Sequence, residues 1–284
     1  MIEPVLKGDS LRAEMLSCNS GLHLWWLGQS GFLVRCEGKT LLFDPYLSES
    51  LTAKYAATDK PHKRMTANPI APGKLDFVDV VFSSHNHTDH LDAETLIPLL
   101  QANPQINFVI PKANRAFVCD RLKIDSTIPL GLNDGEKIDV AGWEIFGVPA
   151  AHEKLETDDA GQHKFMGFVA RRNGIAIYHS GDTILFDGMI ERLKPFNIDI
   201  ALLPLNGRLP ERRVSGNLWG NEAAQLAKEI GAKLVIPCHY EMFEFNTEPP
   251  VLFVQTCQAI GQKYQVLKCG EHWQPTEFKS LFAF

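Results

Sequence analysis

The 284-residue chain is 45% hydrophobic and 22% charged, the balance of a folded protein long enough to bury a large core without disulfides. Its net charge of −6, with Lys and Arg scattered rather than clustered, excludes the basic stripe that a nucleic-acid or anionic-membrane surface requires. Six scattered cysteines without a Cys-x-x-Cys pair, no apolar h-region in Met1–Cys18 and no apolar run near the ~18 residues of a membrane helix point to a cytoplasmic protein with reduced thiols and no stable membrane insertion.

Runs rich in Trp, Phe, Val and Leu predict strands at Leu22–Leu27, Gly31–Cys36, Thr40–Phe43 and Phe77–Ser83, with Gly28, Gly31 and Gly38 as breaks. Leu96, Leu99 and Leu100 at helical spacing predict a helix over Asp92–Ala102, followed by a strand Asn107–Ile110 and a helix Lys112–Leu122. Glu136–Val148 reads as two strands about Ala141–Gly142. Phe165–His179 reads as a hairpin, because Asn173-Gly174 is the favoured type I′ turn between Phe168–Arg171 and Ile175–Tyr178. The last third alternates helix Asp187–Leu193, strand Ile198–Leu203, helix Asn221–Ile230, strand Lys233–Pro237, helix Val251–Ile260 and strand Lys263–Leu267. A meander followed by βα alternation suits a layered α/β sandwich in one domain over residues 1–284. Tyr46–Lys74 and Glu153–Lys164 lack periodicity and read as functional loops. A strand–turn–strand unit ending in Asp occurs twice, at Thr40–Asp44 and Ile175–Asp182.

The apolar run Val78–Phe82 leads into Ser83-Ser84-His85-Asn86-His87-Thr88-Asp89-His90-Leu91-Asp92. Three imidazoles and a carboxylate are the borderline-soft donors that suit Zn²⁺, Mn²⁺ or Fe²⁺. In an extended chain positions 85, 87 and 89 project to one side, and a following helix turns His90 toward a second centre. Four donors on so short a segment suit two ions better than one. A surface histidine cluster without an ion would leave their desolvation uncompensated. His152, Asp182 and His239 each follow a strand run, where a donor is held rigidly yet stays open to substrate.

His-x-His-x-Asp-His followed by isolated His, Asp and His, in that order, resembles the metallo-β-lactamase-fold hydrolases, from Trp25 to about Pro250. The resemblance implies a four-layer αββα sandwich with two metals at one edge. One ion would be held by His85, His87 and His152, the other by Asp89, His90 and His239, with Asp182 bridging. Asp44, in Phe43-Asp44-Pro45, would orient a ligand. Chemistry would be hydrolysis by water activated between the ions, with Asp89 and Asp182 at the catalytic centre. His87 stands where oxygen-reducing di-iron relatives carry Glu, and no flavin domain follows, so hydrolysis is expected over redox chemistry. His90 argues against a β-lactamase proper, and the lack of an extra domain or basic exosite against the nuclease branch. Trp25-Trp26-Leu27-Gly28, Tyr178-His179-Ser180-Gly181-Asp182 and Ile236-Pro237-Cys238-His239-Tyr240 look most like the ascorbate-6-phosphate lactonase-like branch, more distantly like phosphodiesterases acting on N-acyl-phosphatidylethanolamine.

The expected activity is therefore metal-dependent hydrolysis of an ester, lactone or phosphoester bond in a small anionic substrate. Zn²⁺ or Mn²⁺ is expected, and the same donors accept Fe²⁺. The rival is a metal-dependent binding or sensing protein with vestigial catalysis, which a panel of lactones, phosphodiesters and thioesters would separate. His163, Tyr240 and Arg208 are the candidates for assisting the leaving group or binding substrate. Arg208, Arg212 and Arg213 share a Gly- and Pro-punctuated segment suited to anion binding, and Arg208→Ala is expected to raise KM at unchanged metal content. Cys238, next to His239 on a strand, reads as a buried structural thiol, and Phe243, Phe245 and Phe253 as packing. The two long loops and Arg212–Trp219 are expected to wall the pocket. Homo-oligomerisation is left open.

Overall fold

Strands that are apolar on both sides must be covered on both sides, and the architecture follows from that. In the computed structural model, which describes residues 1–275, β1 (Leu22–Trp26), β2 (Phe32–Cys36) and β3 (Lys39–Phe43) form an antiparallel meander. β4 (Val80–Phe82), β5 (Asn107–Pro111) and β6 (Pro129–Leu132) continue it in parallel. β7 (Lys137–Val140), β8 (Trp143–Pro149), β9 (Met166–Arg172) and β10 (Ile175–His179) make a second antiparallel set, extended in parallel by β11 (Ile200–Pro204) and β12 (Leu234–Cys238). With β13 (His272–Trp273) at the edge of the first, the sheets have seven and six strands among the described residues.

Alternation along the first sheet decides the layering. Leu24, Trp26, Phe32, Val34, Leu41, Phe43, Val80 and Phe82 pack in the core shared with the second sheet. Their neighbours Trp25, Leu33, Leu42 and Val81 face the opposite way, against Leu11, Met15, Leu96, Leu99, Val118 and Leu122 of α1 (Gly8–Ser17), α3 (Ala93–Ala102) and α4 (Arg115–Leu122). The second sheet is covered by α5 (Met189–Leu193), α6 (Gly220–Glu229) and α7 (Val251–Ile260), giving the αββα sandwich. The short α2 (Ser50–Tyr55) lies in the loop after β3. No helix among the described residues is long and apolar enough to cross a membrane.

The type I′ turn forms as expected, Asn173 and Gly174 both adopting positive φ (51° and 77°). The structure corrects other expectations. Lys263–Leu267 is not a strand; Tyr264 makes one isolated bridge to Val235 beside β12. The helix expected over Lys112–Leu122 begins as a 3-10 turn at Lys112–Asn114. Helix α1 and strands β6 and β13 were not anticipated. Weak amphipathicity hides α1, Pro129 and Gly131 interrupt the β6 pattern, and β13 is two residues long.

Candidate metal centre

Strand direction explains why the donors meet. β1 and β3 both run antiparallel to β2, β4 is parallel to β3, β8 and β10 both run antiparallel to β9, and β12 continues parallel beyond β11. The chain therefore leaves β1, β3 and β4 at one edge of the first sheet, and β8, β10 and β12 at one edge of the second. Those exits carry Gln29, Asp44, the 85–90 segment, His152, Asp182 and His239. Beneath them Phe43 stacks on Phe82 at 4.4 Å and on His179 at 5.1 Å. The His179 Nε2–H donates to the Ser30 carbonyl, so its Nδ1 accepts the Gly181 N–H and holds the turn that presents Asp182. Gly181 has φ +60°, and a Cβ there would stand 2.6 Å from Ser84 Cβ, so the turn requires glycine.

Asp44 organises the tautomers. Fully buried, it accepts the Ser84 N–H on Oδ1 (2.8 Å), and on Oδ2 the Ser84 hydroxyl (2.5 Å) and the His90 Nδ1–H (2.6 Å). Having given its proton to Asp44, the Ser84 hydroxyl accepts from His85 Nδ1 (3.0 Å). The His152 Nδ1–H donates to the Gly216 carbonyl (2.8 Å). Three imidazoles are thereby left with Nε2 facing inward, as a lone pair on His85 and His152 and on His90 once an ion displaces its proton, and the Nε2 atoms of His85 and His90 are buried without a protein hydrogen-bond partner. Such groups fit a cation as partner.

The donors fall into three overlapping groups, each with ligand atoms within 4.8 Å of one another: His85, His87 and His152; His85, His90 and Asp182; Asp89, His90 and His239. Asp182 sits between them, Oδ1 3.3 Å from His90 Nε2, and Oδ2 3.3 Å from His239 Nε2 and 3.7 Å from His152 Nε2. Burial pushes His85 well below the usual imidazole pKa, lowers His87, and brings His152 to about 4. These rings are neutral lone-pair donors at pH 7. Burial would also lower His90, but Asp182, Asp89 and Asp44 hold it well above its ordinary value. Carboxylates that stabilise a positive charge at that point suit a divalent ion equally. The donor set, nitrogen and oxygen only, fits Zn²⁺, Mn²⁺ or Fe²⁺.

A cavity of about 650 Å³ opens over His87, Asp89, His152, Asp182 and His239. As expected, the loop after β3 lines it through Leu51, Lys54, Tyr55 and His62, and the 212–219 segment through Arg213, Val214 and Ser215. From Glu153–Lys164, Glu153 contributes. The three proposed substrate residues are not brought to the cavity. Both terminal nitrogens of Arg208 bind Glu222 (2.6 and 2.7 Å), which locks the guanidinium against α6. Tyr240 is buried against Trp26 and donates to the Leu267 carbonyl. His163 sits beside Asn133 and bridges to Thr157. Phe253 and Cys238 are buried as expected, but Phe243 and Phe245, read as packing, also line the cavity.

Two residues escaped sequence reasoning. Gln29, buried and at φ 49°, donates its side-chain amide to Asp89 Oδ2 (2.7 Å), while its carbonyl accepts the His239 N–H (2.9 Å). His62 is 9% exposed, stacks on Tyr55 at 4.0 Å and meets the edge of Phe245 at 4.5 Å. Its Nδ1–H donates to the Lys60 carbonyl (3.1 Å), leaving Nε2 as an acceptor on a ring that lines the cavity. Only the glycines around Gln29 hinted at the first, and nothing local at the second.

Residues 39–240 match the Beta-lactamase superfamily domain. The chain is 30% identical over 227 residues to a UPF0173 metal-dependent hydrolase of Methanoregula boonei, covering 78% of this chain and 84% of the relative. Another UPF0173 metal-dependent hydrolase, from Caldivirga maquilingensis, is 27% identical over 88% of this chain and 96% of its own. Among solved structures, the fold is similar to Igni18, a metallo hydrolase of Ignicoccus hospitalis (TM-score 0.66, 24% identity, 91% and 100% of the two chains). It is also similar to an isothiocyanate hydrolase from Delia radicum gut bacteria (TM-score 0.70, 20% identity, 89% and 98%).

Proposed function

The chain belongs to the beta-lactamase superfamily, among the UPF0173 metal-dependent hydrolases, and on that premise we propose that it cleaves an ester, lactone or phosphoester bond of a small anionic substrate with two divalent ions. Zn²⁺ or Mn²⁺ would be held by His85, His87 and His152 on one side and by Asp89, His90 and His239 on the other, with Asp182 shared. The observation that carries this reading is the set of inward Nε2 atoms, fixed by Asp44, Ser84 and Gly216, that converge about one shared carboxylate. When bound, the ions supply Lewis-acid activation of water and of the attacked oxygen.

The chain's own residues supply the rest. Gln29 fixes the Asp89 carboxylate, so its remaining lone pairs face the cavity in one orientation as acceptors for the attacking water's proton. His62, lowered in pKa by burial, is the cavity's neutral imidazole outside the donor groups and takes the part expected of His163 and Tyr240, exchanging a proton with the substrate through Nε2. Lys54 and Arg213, the latter in an exposed ion pair with Asp59 (2.8 Å), offer cations to an anionic substituent, and Leu51, Tyr55, Phe243 and Phe245 exclude water where they line the cavity. Cytoplasmic operation and the lactonase-like branch belong to this same reading.

The test is metal analysis together with turnover of the purified protein on lactones, phosphodiesters and thioesters. About two ions per chain and metal-dependent cleavage of one class are expected. Full activity in the metal-free protein would refute the reading, and tight binding without turnover would favour the sensing protein.

A further inference from the structure

We propose that Cys18, His23 and His272 form a separate, structural Zn²⁺ site that ties the end of α1 and the start of β1 to β13. The three residues offer one thiol sulfur and two imidazole nitrogens within 4.8 Å of one another. Cys18 precedes β1, His23 is its second residue and His272 lies on β13 opposite Trp25, and none of the three lines the large cavity.

Each donor is aimed by its surroundings. The His23 Nε2–H donates to the Ser20 carbonyl (2.8 Å), so Nδ1 must carry the lone pair. This is the outer hydrogen bond that a metal-bound imidazole makes to a backbone carbonyl. His272 Nε2 faces that lone pair at 3.0 Å, and its ring is held flat on Trp25 at 4.5 Å and 11°. Burial lowers the His272 pKa, which keeps the ring neutral and able to ligate at pH 7. Cys18 ends α1, in a loop that Arg35 pins by donating to the Met15 carbonyl (2.6 Å) and to Asn19 Oδ1 (2.8 Å).

One thiolate and two imidazoles form a softer set than the large cluster and suit tetrahedral Zn²⁺. Two nitrogens on one such ion stand about 3.3 Å apart, so the His23–His272 pair needs to open by only a few tenths of an ångström. Binding would release the Cys18 thiol proton and move the His272 proton from Nε2 to Nδ1. The fourth position would face the cavity of about 360 Å³ that Cys18 and His23 line. A simple His–His hydrogen bond is the competing account, and it requires neither the thiol nor an ion.

Co²⁺ separates the two in the full-length protein, because the large cluster contains no sulfur. Co²⁺-loaded wild type should show a near-ultraviolet thiolate-to-cobalt charge-transfer band, which Cys18→Ser should abolish together with one equivalent of bound metal, leaving the ions of the large cluster in place. His272→Phe should weaken Zn²⁺ binding at this site by more than the ~10–100-fold typical of losing an outer partner. One measurement needs no variant: Zn²⁺ should protect Cys18 from alkylation in the native wild type, followed by mass spectrometry. A Co²⁺ spectrum without the band, a band that survives in Cys18→Ser, or an alkylation rate indifferent to Zn²⁺ would each overturn the proposal.

Discussion

Replacing Asp44 by Asn tests whether this carboxylate sets the ligand tautomers. Asn has the same shape and tolerates the φ of 38° at this position, so the backbone need not move. Its Oδ1 can still accept the Ser84 N–H, but an NH₂ group replaces Oδ2, the oxygen that accepts from both the Ser84 hydroxyl (2.5 Å) and His90 Nδ1 (2.6 Å). Two donors then face each other, and the relaxed arrangement moves the His90 proton from Nδ1 to Nε2, blocking its ligating lone pair. A hydrogen bond to a charged group contributes ~1.5–3 kcal/mol, in line with the ~10–100-fold loss of metal affinity on removing an outer partner. The loss should be larger at the ion held by Asp89, His90 and His239, which Asp44 reaches directly, than at the ion of His85, which it reaches through the Ser84 hydroxyl. Zn²⁺ content measured across buffers of fixed free Zn²⁺ should show two equivalents weakened to different extents. Equal affinity in Asp44→Asn and wild type would refute the tautomer account.

Gly181→Ala should destabilise the fold by roughly 1–3 kcal/mol, since the new Cβ would press on Ser84 where φ is already +60°; an unchanged denaturation midpoint would count against the turn described. Arg213→Ala should raise KM for an anionic substrate by at most about fivefold, because exposed charges contribute ~1 kcal/mol or less. Arg208→Ala should leave KM unchanged, its guanidinium being engaged by Glu222; the reverse pattern in steady-state kinetics would restore Arg208 to the pocket. Metal-free protein should lose stability as pH falls from about 6.5 toward 4. In that window the unfolded chain binds protons that His85, His87 and His152 in the folded chain refuse, whereas His90 is already protonated when folded and adds no further change below 6.5. His152 alone contributes on the order of 3 kcal/mol over this range. A flat urea midpoint from pH 7 to 4.5 would contradict the buried neutral imidazoles.

The donors could be read from the sequence because the 85–90 segment concentrates four of them and each later one directly follows an apolar run. The sandwich was legible for a similar reason: a hairpin signal such as Asn173-Gly174 is local. What stayed hidden depends on distant chain. Gln29 matters because β1 ends beside β12, and His62 because its loop folds against Phe243 and Phe245, some 180 residues later. Arg208 failed for the opposite reason: a cationic segment suggests an anion, but Glu222 of α6, fourteen residues on, takes the charge instead. Periodicity likewise does not reveal that Lys263–Leu267 touches β12 at a single bridge.

Three residues at the metal edge, Gln29, Asp44 and His239, hold left-handed backbone conformations at φ 49°, 38° and 63°. For side chains with a Cβ this costs roughly 1–2 kcal/mol each, a strain that glycine would relieve. The interests of folding and of chemistry therefore diverge at Gln29 and His239, whereas Asp44 also accepts three buried hydrogen bonds that outweigh its strain. In a mutant library sorted only for resistance to unfolding, glycine should accumulate at 29 and 239. In the same library sorted for hydrolysis it should be purged there, so the two enrichment profiles would separate residues retained for the reaction from residues retained for the scaffold.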